Sequence, residues 1–395
     1  MPKVHSILML SNGHGEDIIG SNILDNLFSK EENLYVSVLP IVGMGDAYKN
    51  LPVKMLGPTK NLPTGGFMRQ SIKNFVTDVK GGILGLTYRQ IQTLRKVSES
   101  VDTVICVGDL LLVILAGLFI KKDMIFLPTA KSEYISGHYK IEEKLMGKYV
   151  SLVLPRDEKT AKALREEDIN AKFVGNAMMD SLDIKGVDFG CDEETKLVGI
   201  LPGSRDEAYQ NMKMILKVIE NLEDLKSEEM DYVTALAGRL SLDKLEREIN
   251  ELGWNMNVEA DRLPAGVIAT LNSPQGFCVK LSKGYFGDVL DKSDIFIGLA
   301  GTANEQAVGM GKPLVTFVGD GPQFNEKFVK AQKRLLGDSI SVVEPIPEKV
   351  ATELLVILHD DSRYQAMGDV GKERMGPPGG IDRMTNLMLE HMNFR

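Results

Sequence analysis

Short apolar runs alternate with longer segments of helical apolar spacing along almost the whole chain. The alternation is interrupted by a polar segment at 183–196 and then starts again. Strands separated by helices in this way form βαβ units, which build parallel sheets. The runs that we predict as strands are 6–10, 34–39, 103–107, 124–127, 152–154 and 172–174 before the polar segment, and 197–201, 232–237, 278–281, 295–297, 314–317 and 341–343 after it. The predicted fold class is therefore α/β, with two Rossmann-like lobes.

The length of the chain agrees with two lobes, since it has 395 residues and a single hydrophobic core stops growing at about 250–300. We predict a first lobe at 1–185 and a second at 186–366. The final segment, 367–395, contains a Pro- and Gly-rich interruption at 376–380 and then apolar residues at helical spacing. We expect this C-terminal helix to return to the first lobe.

Charge and cysteine content exclude several classes of function. A net charge of -9 argues against nucleic-acid binding. The three cysteines, Cys106, Cys191 and Cys278, lack metal-ligand spacing, so we expect reduced thiols in a reducing compartment. The longest apolar stretch, 110–120, is shorter than the roughly 20 residues that span a bilayer and predicts a buried helix. The first apolar run, 7–10, is too short for the core of a signal peptide, so a cytoplasmic protein is expected.

A glycine-rich loop with two carboxylates follows the first predicted strand. Its sequence is Asn12-Gly13-His14-Gly15-Glu16-Asp17. Glycines at a strand-to-helix turn let a ligand approach backbone N–H groups. The spacing is not GxGxxG, and Glu16 and Asp17 would repel a pyrophosphate, so sugar hydroxyls are the better ligand. The alternative is a tight turn whose carboxylates interact only with the helix dipole.

The sequence Val107-Gly108-Asp109 ends another apolar strand. Ligands collect at the carboxyl edge of an open α/β sheet, and a carboxylate there, beside a buried helix, is a candidate general base. Asp109 is therefore the predicted catalytic base. The alternative, that Asp109 caps the helix predicted at 110–120, is equally compatible with the sequence.

A second glycine loop, Gly203-Ser204-Arg205, follows the first strand of the second lobe. A Gly-Ser turn with an arginine at a helix start supplies backbone donors, a hydroxyl and a guanidinium, which together suit a diphosphate. The alternative is an arginine paired with Asp206 or Glu207. We favour the diphosphate site.

A third loop of small residues leads into a polar helix start in the second lobe. The residues predicted to bind a nucleotide are Gly301, Thr302, Ala303, Asn304, Glu305 and Gln306. The turn allows close approach to phosphates, while the polar side chains one turn later suit ribose hydroxyls. Close packing of a helix on a sheet would explain the small residues but not the Asn-Glu-Gln sequence.

The stretch 60–96 is basic and amphipathic within an acidic protein. Seven Lys and Arg residues accompany one acid, Asp78, and apolar residues recur at helical spacing. Such a segment is a candidate for membrane-surface contact. The predicted contact residues are Phe67, Met68, Ile72, Phe75, Val79 and Ile83. An ordinary core helix with a solvated basic face is the alternative, and the glycines Gly81, Gly82 and Gly85 would loosen either helix.

Several catalytic motifs are missing from the sequence. It contains no Asp-x-Asp, HExxH, GxSxG or GxxxxGK[ST]. Metal-assisted diphosphate chemistry, zinc or serine hydrolysis and P-loop ATP use are therefore disfavoured, and we expect neither a metal nor a cofactor. His138, in a Ser-Gly-His-Tyr sequence, has no assigned role.

In these motifs the chain resembles the lipid-A-disaccharide synthase family, most closely the branch called lipid-A-disaccharide synthase-related proteins. The matching segments span almost the whole chain in the same order. They are 11–17, 154–159, 173–180, 201–205, 301–306 and 319–324.

This resemblance implies a GT-B fold and metal-independent, inverting transfer from a UDP-sugar held by the C-terminal lobe. It also implies a lipid-linked acceptor held by the N-terminal lobe at the cytoplasmic membrane face. In the family, an acidic residue of the first loop and an aspartate after the 103–107 strand lie at the acceptor, which corresponds to Glu16 and Asp109 here. Arg205 matches the diphosphate-binding arginine, and Gln306, preceded by Glu305, occupies the position of a ribose-binding glutamate.

The first loop departs from the Gly-Glu-Ala-Ser-Gly-Asp sequence of the disaccharide synthases, so we expect an acceptor other than the lipid A precursor. Asp109 would take the proton of the acceptor hydroxyl, and His14 and Glu16 would orient the acceptor. The remaining predicted acceptor-binding residues are Asn12, Gly13, Gly15, Asp17, Lys131 and Gln323. The alternatives are an isomerase like the nucleotide-sugar 2-epimerases and a non-catalytic nucleotide-sugar-binding protein.

Overall fold

The computed structural model describes residues 4–59, 83–129, 131–192, 194–321 and 324–393. The chain forms two compact units. Unit 1 comprises Met1–Ser181 together with Pro377–Arg395, and unit 2 comprises Leu182–Gly376. The chain thus passes out of unit 1 after Ser181 and re-enters it at Pro377, whereas the sequence pattern placed these transitions near 186 and 367.

A parallel sheet forms the centre of unit 1. Its strands are β1 His5–Ser11, β2 Leu34–Pro40, β3 Lys54–Met55, β4 Thr103–Gly108, β5 Asp123–Pro128 and β6 Leu152–Val153. Their order is β3-β2-β1-β4-β5-β6, with every described pair parallel. The order reverses between β1 and β4, and the loops after these strands flank the point at which open α/β sheets bind ligands.

The helices follow the strands in βαβ order. They are α1 His14–Lys30, α2 Ile83–Val97, α3 Leu110–Phe119, α4 Lys140–Tyr149, α5 Glu158–Glu166, α6 Glu207–Leu225, α7 Leu242–Asn250, α8 Phe286–Lys292, α9 Thr302–Gly309, α10 Glu326–Leu336, α11 Pro347–His359, α12 Asp361–Met375 and α13 Gly380–His391. In unit 1, α1 and α13 cover one face of the sheet and α2 to α5 the other. Because both faces are covered, the central residues of β1 and β4, 7–10 and 104–107, are all apolar and buried, as is typical of parallel sheets.

The C-terminal helix α13 packs on unit 1, as predicted. Asp180 accepts hydrogen bonds from the backbone N–H groups of Gly379 at 2.7 Å and Ile381 at 2.5 Å, and so fixes the N-terminus of α13. Gly175 has φ +125° and approaches the same turn, where a Cβ would lie 2.8 Å from the Cα of Gly380. These contacts explain the glycines at both positions.

Unit 2 is built on a larger, mixed sheet. Its strands are β7 Lys196–Leu201, β8 Met230–Ala235, β9 Asn255–Asn257, β10 Val267–Asn272, β11 Cys278–Ser282, β12 Ile295–Gly298, β13 Leu314–Thr316 and β14 Ile340–Val342. Their order is β14-β13-β12-β7-β8-β11-β10-β9, parallel from β14 to β11 and antiparallel at β10 and β9. The central strands β7 and β12 are followed by the two loops predicted to bind the diphosphate and the nucleotide.

The predicted strand at 172–174 is wrong. Only Ala171 forms a β-bridge, with Val153, and the next residues have no strand partner among the described residues. Strand pairing would need the backbone carbonyls of this segment, but two arginine side chains bond to them instead. Arg165 donates to the Ala171 oxygen at 3.1 Å, and Arg383 donates to the Val174 oxygen at 2.5 Å.

The sequence pattern also missed β3, β9 and β10. Strands β3 and β9 have only two and three residues, which is too short for a periodic signal. The alternating burial of β10 along Val267–Asn272 is typical of a strand with one solvated face, and such a strand has no continuous apolar run. The remaining predicted strands are present, with ends shifted by up to two residues.

Candidate functional site

The carboxylate of Glu16 packs against the glycine-rich loop that follows β1. Glu16 folds back so that a Cβ on Gly13 would lie 2.3 Å from Glu16 Oε2. Thr129, directly after β5, donates to Glu16 Oε1 at 3.2 Å. Glu16 is half-buried, while His14 and Gly15 are exposed on the first turn of α1. Glu16 is thus held in a fixed position at the carboxyl edge of the sheet.

The loops after β1 and β4 lie against each other. Gly108 has φ +144°, and a Cβ there would lie 1.8 Å from Asn12 Oδ1, so only glycine lets the Asn12 side chain pack at this point. The predicted site residues Asn12, Gly13, Glu16 and Asp109 are therefore brought together in unit 1.

Asp109 caps α3. Its side chain accepts a hydrogen bond from the backbone N–H of Leu111 at 2.8 Å, and it remains half-exposed. The alternative interpretation of Asp109, that it caps this helix, is therefore confirmed. A carboxylate has a second oxygen for a ligand, so this role does not exclude a base.

Asp17 lies inside unit 1 rather than on the loop surface. It is 2% exposed, and Ser11 Oγ donates to its carboxylate at 2.6 Å. Tyr48 donates in turn to Ser11 Oγ at 3.1 Å. Burial raises the pKa of Asp17 to about 6. This arrangement favours a supporting role for Asp17 below the loop over direct contact with an acceptor.

Thr129 and Arg156 belong to the same edge, although sequence reasoning gave neither a role. The Thr129 N–H donates to the Gly108 carbonyl at 3.2 Å, and Arg156 donates to the Thr129 carbonyl at 3.3 Å. Arg156 adds a cation next to the carboxylates. The position of Arg156 in the 154–159 family motif could have indicated a role at the site. For Thr129 the only indication in the sequence was its position directly after a predicted strand.

Lys131 is already engaged within unit 1. Its ammonium pairs with the Glu142 carboxylate and lies 4.2 Å from the centroid of the Tyr139 ring. Next to it, burial lowers the pKa of His138, and His138 Nδ1 is buried without a hydrogen-bond partner among the described residues. Gln323 lies outside the described residues.

The predicted diphosphate loop follows β7 in unit 2. Gly203 has φ +102°, and a Cβ there would lie 3.0 Å from the Leu299 carbonyl. Asn211 fixes the loop by donating to the Pro202 carbonyl at 2.9 Å. Ser204 is exposed and Arg205 half-buried just before α6 begins. The loop therefore offers a hydroxyl and a guanidinium at a helix start.

The two predicted donor loops are neighbours. Strand β12 pairs with β7 so that Gly298 lies opposite Leu201, and the Leu299 N–H donates to the Leu201 carbonyl at 2.8 Å. The turn at Gly301 and Thr302 therefore begins beside Gly203. Both loops leave the same edge of the sheet.

The polar run at the start of α9 divides into inward and outward residues. Asn304 is fully buried and donates to the Gly298 carbonyl at 3.2 Å and to Gln332 at 3.0 Å. Gln306 is 6% exposed. Glu305 is half-buried, three residues after exposed Thr302 and on the same side of the helix. Of the two candidates for a ribose, Glu305 is thus the better placed, while Asn304 supports the loop from below.

Arg239 is a residue of this edge that sequence reasoning missed. It follows β8, the other neighbour of β7, and its Nε donates to the Ser204 carbonyl. Its guanidinium therefore lies at the same loop as Arg205. The only sequence signal was an arginine after a predicted strand.

The predicted membrane-contact residues can be placed only in part. Phe67, Met68, Ile72, Phe75 and Val79 lie outside the described residues, and Ile83 begins α2, although its side chain is not described. None of the helices in the described part of the chain is both long and apolar enough to cross a bilayer. Within the same residues, no three His, Cys, Asp or Glu side chains are grouped to hold a metal ion.

Comparison with known proteins supports a relationship in sequence and in fold. No protein-family model matches the chain. The chain is 24% identical over 243 residues to a lipid-A-disaccharide synthase of Trichlorobacter lovleyi, which covers 56% of this chain and 57% of that protein. The match therefore spans little more than half the length of this relative.

Solved structures align over nearly the whole chain. The UDP-GlcNAc 2-epimerase of Neisseria meningitidis bound to UDP-GlcNAc has a TM-score of 0.62 at 15% identity, covering 98% of this chain and 100% of the epimerase. MurG of Acinetobacter baumannii has a TM-score of 0.59 at 12% identity, with 98% and 99% covered. CalG4, the calicheamicin glycosyltransferase, has a TM-score of 0.57 at 15% identity, with 100% of both chains covered. The chain therefore has the GT-B fold shared by these proteins and is related in sequence to lipid-A-disaccharide synthase.

Proposed function

We propose that this protein is an inverting, metal-independent glycosyltransferase that moves a sugar from a UDP-sugar to a lipid or lipid-linked acceptor. The observation that carries the proposal is the pairing of β7 with β12, which places the Gly203–Arg205 and Gly301–Thr302 loops side by side. Two glycine turns at adjacent helix starts would supply N–H donors to one ligand, an arrangement suited to a diphosphate.

The leaving group would be stabilised by two arginines. Arg205 lies on the Gly203 loop, and Arg239 contacts the Ser204 carbonyl of that loop. When the bond between the anomeric carbon and the diphosphate oxygen breaks, negative charge develops on the UDP. The two guanidinium groups and the loop N–H groups would offset this charge without a metal ion.

Glu305 would bind the ribose. Its carboxylate lies on the same side of α9 as Thr302, at the turn expected to hold the diphosphate. A carboxylate can accept hydrogen bonds from two ribose hydroxyls, which favours a ribonucleotide.

The acceptor would bind at the unit 1 edge. Asp109 would remove the proton of the attacking hydroxyl as its oxygen forms a bond to the anomeric carbon. Glu16, fixed by Thr129, and exposed His14 would position the acceptor sugar through hydrogen bonds.

Charge distribution supports a membrane-bound acceptor at the cytoplasmic face. Unit 1 contains 24 Lys and Arg against 22 Asp and Glu, and unit 2 contains 22 against 33. Unit 1 is thus close to neutral at +2, whereas unit 2 carries -11. Attraction to anionic lipids would have to come from unit 1, where Arg95, Lys96, Lys121 and Lys122 are exposed.

Epimerisation is the second candidate, because UDP-GlcNAc 2-epimerases are among the structural neighbours. An epimerase needs no second substrate. The sequence similarity to lipid-A-disaccharide synthase favours transfer.

Incubation with labelled UDP-sugars, with and without a lipid extract, separates the possibilities. Transfer predicts release of UDP that depends on lipid. Conversion of the nucleotide sugar without lipid would establish epimerisation, and binding without turnover would establish a non-catalytic role.

A further inference from the structure

Unit 1 contains a cavity of about 460 Å³, largely open to solvent, that none of the loops described above lines. It lies between α5 and α13, over the connector at 172–174. Its volume falls within the range of roughly 300–1,000 Å³ that is typical of small-molecule sites.

Cations surround this cavity. Arg165, Lys172 and Arg383 line it, and the carboxylate in its wall, Glu158, is paired with Arg165 at 2.6 Å. Two positive charges are therefore left without a partner carboxylate in the wall. Such a site attracts an anion.

The two arginines are fixed before any ligand binds. Arg383 donates from Nε to the Val174 carbonyl and from Nη2 to the carbonyls of Pro377 at 2.9 Å and Pro378 at 2.8 Å. Arg165 donates from Nη1 to the Ala171 carbonyl at 3.1 Å. Donors held in this way lose little conformational entropy when a ligand binds.

These hydrogen bonds alone would account for the presence of both arginines, as side chains that hold the connector in place. Lys172 differs, because it is exposed and has no ion-pair partner within the described residues. Its backbone N–H donates to the Val153 carbonyl at 3.0 Å, but its ammonium has no hydrogen-bond partner within the described residues and lines the cavity. The rest of the wall consists of the half-buried apolar side chains of Phe173, Val174 and Leu387, together with exposed Asn386, which is hydrogen-bonded to Lys30 and Asp382.

We propose that this cavity is a binding site for a small anion with an attached apolar group, such as an alkyl phosphate. The anion would contact Lys172 and Arg383, and the apolar part would cover Phe173 and Leu387. Such a ligand would join the connector to α13 and thereby stabilise unit 1. The proposal does not depend on the transfer reaction.

Isothermal titration calorimetry of the full chain tests this with hexyl phosphate, inorganic phosphate and hexanol. We expect one hexyl phosphate site per chain, at least tenfold tighter than inorganic phosphate because the alkyl group is partly buried. Hexanol should show no saturable binding. Saturation with UDP should leave hexyl phosphate binding unchanged.

Variants locate the site. Lys172→Ala should weaken both anions about tenfold, and Leu387→Ser should weaken hexyl phosphate but not inorganic phosphate. The control Lys162→Ala removes an exposed lysine of α5, a helix beside the cavity, at a position that does not line it, and should change nothing. Absence of hexyl phosphate binding, equal loss in Lys162→Ala and Lys172→Ala, or displacement by UDP would overturn the proposal.

Discussion

The carboxylate of Asp17 accepts a 2.6 Å hydrogen bond from Ser11 Oγ within the core of unit 1. Asp17 belongs to the first turn of α1, immediately after Glu16, and Ser11 ends β1. The bond therefore joins the two ends of the candidate acceptor loop. Burial raises the pKa of Asp17 to about 6 from the ordinary 3.8.

This pKa makes the stability of unit 1 depend on pH. The folded chain keeps a proton on Asp17 up to about pH 6, whereas the unfolded chain releases it near 3.8, so folding loses stability as the pH rises through this window. The total loss is on the order of 3 kcal/mol. Asp17→Asn keeps an oxygen acceptor for Ser11 and removes the titration.

Its free energy of unfolding, relative to wild type, should therefore rise between about pH 4 and pH 7 and then level off. Calorimetric unfolding at about pH 4.5, 6 and 7.5 measures the difference. The same difference at all three values would show that Asp17 does not titrate in this range.

Asp109→Asn separates capping from catalysis. Asparagine is as good an N-cap as aspartate, so the hydrogen bond from Leu111 and the thermal stability should persist. Loss of the base should lower kcat by roughly 10²–10⁴-fold. UDP affinity should stay within about twofold, because Asp109 is assigned to the acceptor. Steady-state turnover and UDP titration provide both values, and near-normal turnover would place the base elsewhere.

Arg239→Ala should weaken UDP binding about tenfold, through loss of charge-assisted contacts to the diphosphate. Arg205→Ala should act in the same direction. Arg247→Ala is the matched control, since Arg247 is exposed on α7 and bonds to its own helix at the Asp243 carbonyl. Equal UDP affinity in the Arg239 and Arg247 variants would remove Arg239 from the donor site.

Glu305 and Gln306 should differ in their effect on ribose recognition. Wild-type chain should bind UDP more tightly than 2′-deoxy-UDP, and Glu305→Ala should reduce this preference to near unity. Gln306→Ala, at a position that is 6% exposed, should lower stability and leave the preference intact. If Gln306→Ala abolishes the preference, the ribose residue is Gln306.

Unit 1 should bring the chain to anionic bilayers. Lys121→Glu with Lys122→Glu should reduce binding to phosphatidylserine vesicles at least tenfold at low salt, at about 1 kcal/mol per charge. Lys217→Glu with Lys327→Glu makes the same charge change at exposed positions of unit 2 and should have little effect. Cosedimentation measures both. Equal losses of vesicle binding in the two variants would show that the attraction depends on net charge alone and not on the surface of unit 1.

Strong periodic signals allowed much of the fold to be predicted. In the runs predicted at 103–107 and 295–297 every residue except Thr103 is apolar, and these runs form β4 and β12. Residues 172–174 looked alike locally, but Arg165 and Arg383, distant in the sequence, occupy the carbonyls of this connector. A local pattern carries no information about such partners.

The candidate site shows the same division. Loops at strand ends could be predicted, because βαβ topology places all of them at one edge. The side-chain directions of Asp17, Asn304 and Glu305 could not be predicted, since they depend on which side of each helix faces the sheet. Arg239 reaches Ser204 only because β8 lies beside β7.

Transfer to a lipid is the central claim, and following the radiolabelled sugar of a UDP-sugar into an organic-soluble fraction tests it most directly. The account predicts that wild-type protein with membrane lipid makes the label lipid-soluble, with one UDP released for each sugar transferred. Label that stays entirely in the aqueous phase, as unchanged or epimerised nucleotide sugar across the available donors and lipid extracts, would contradict it.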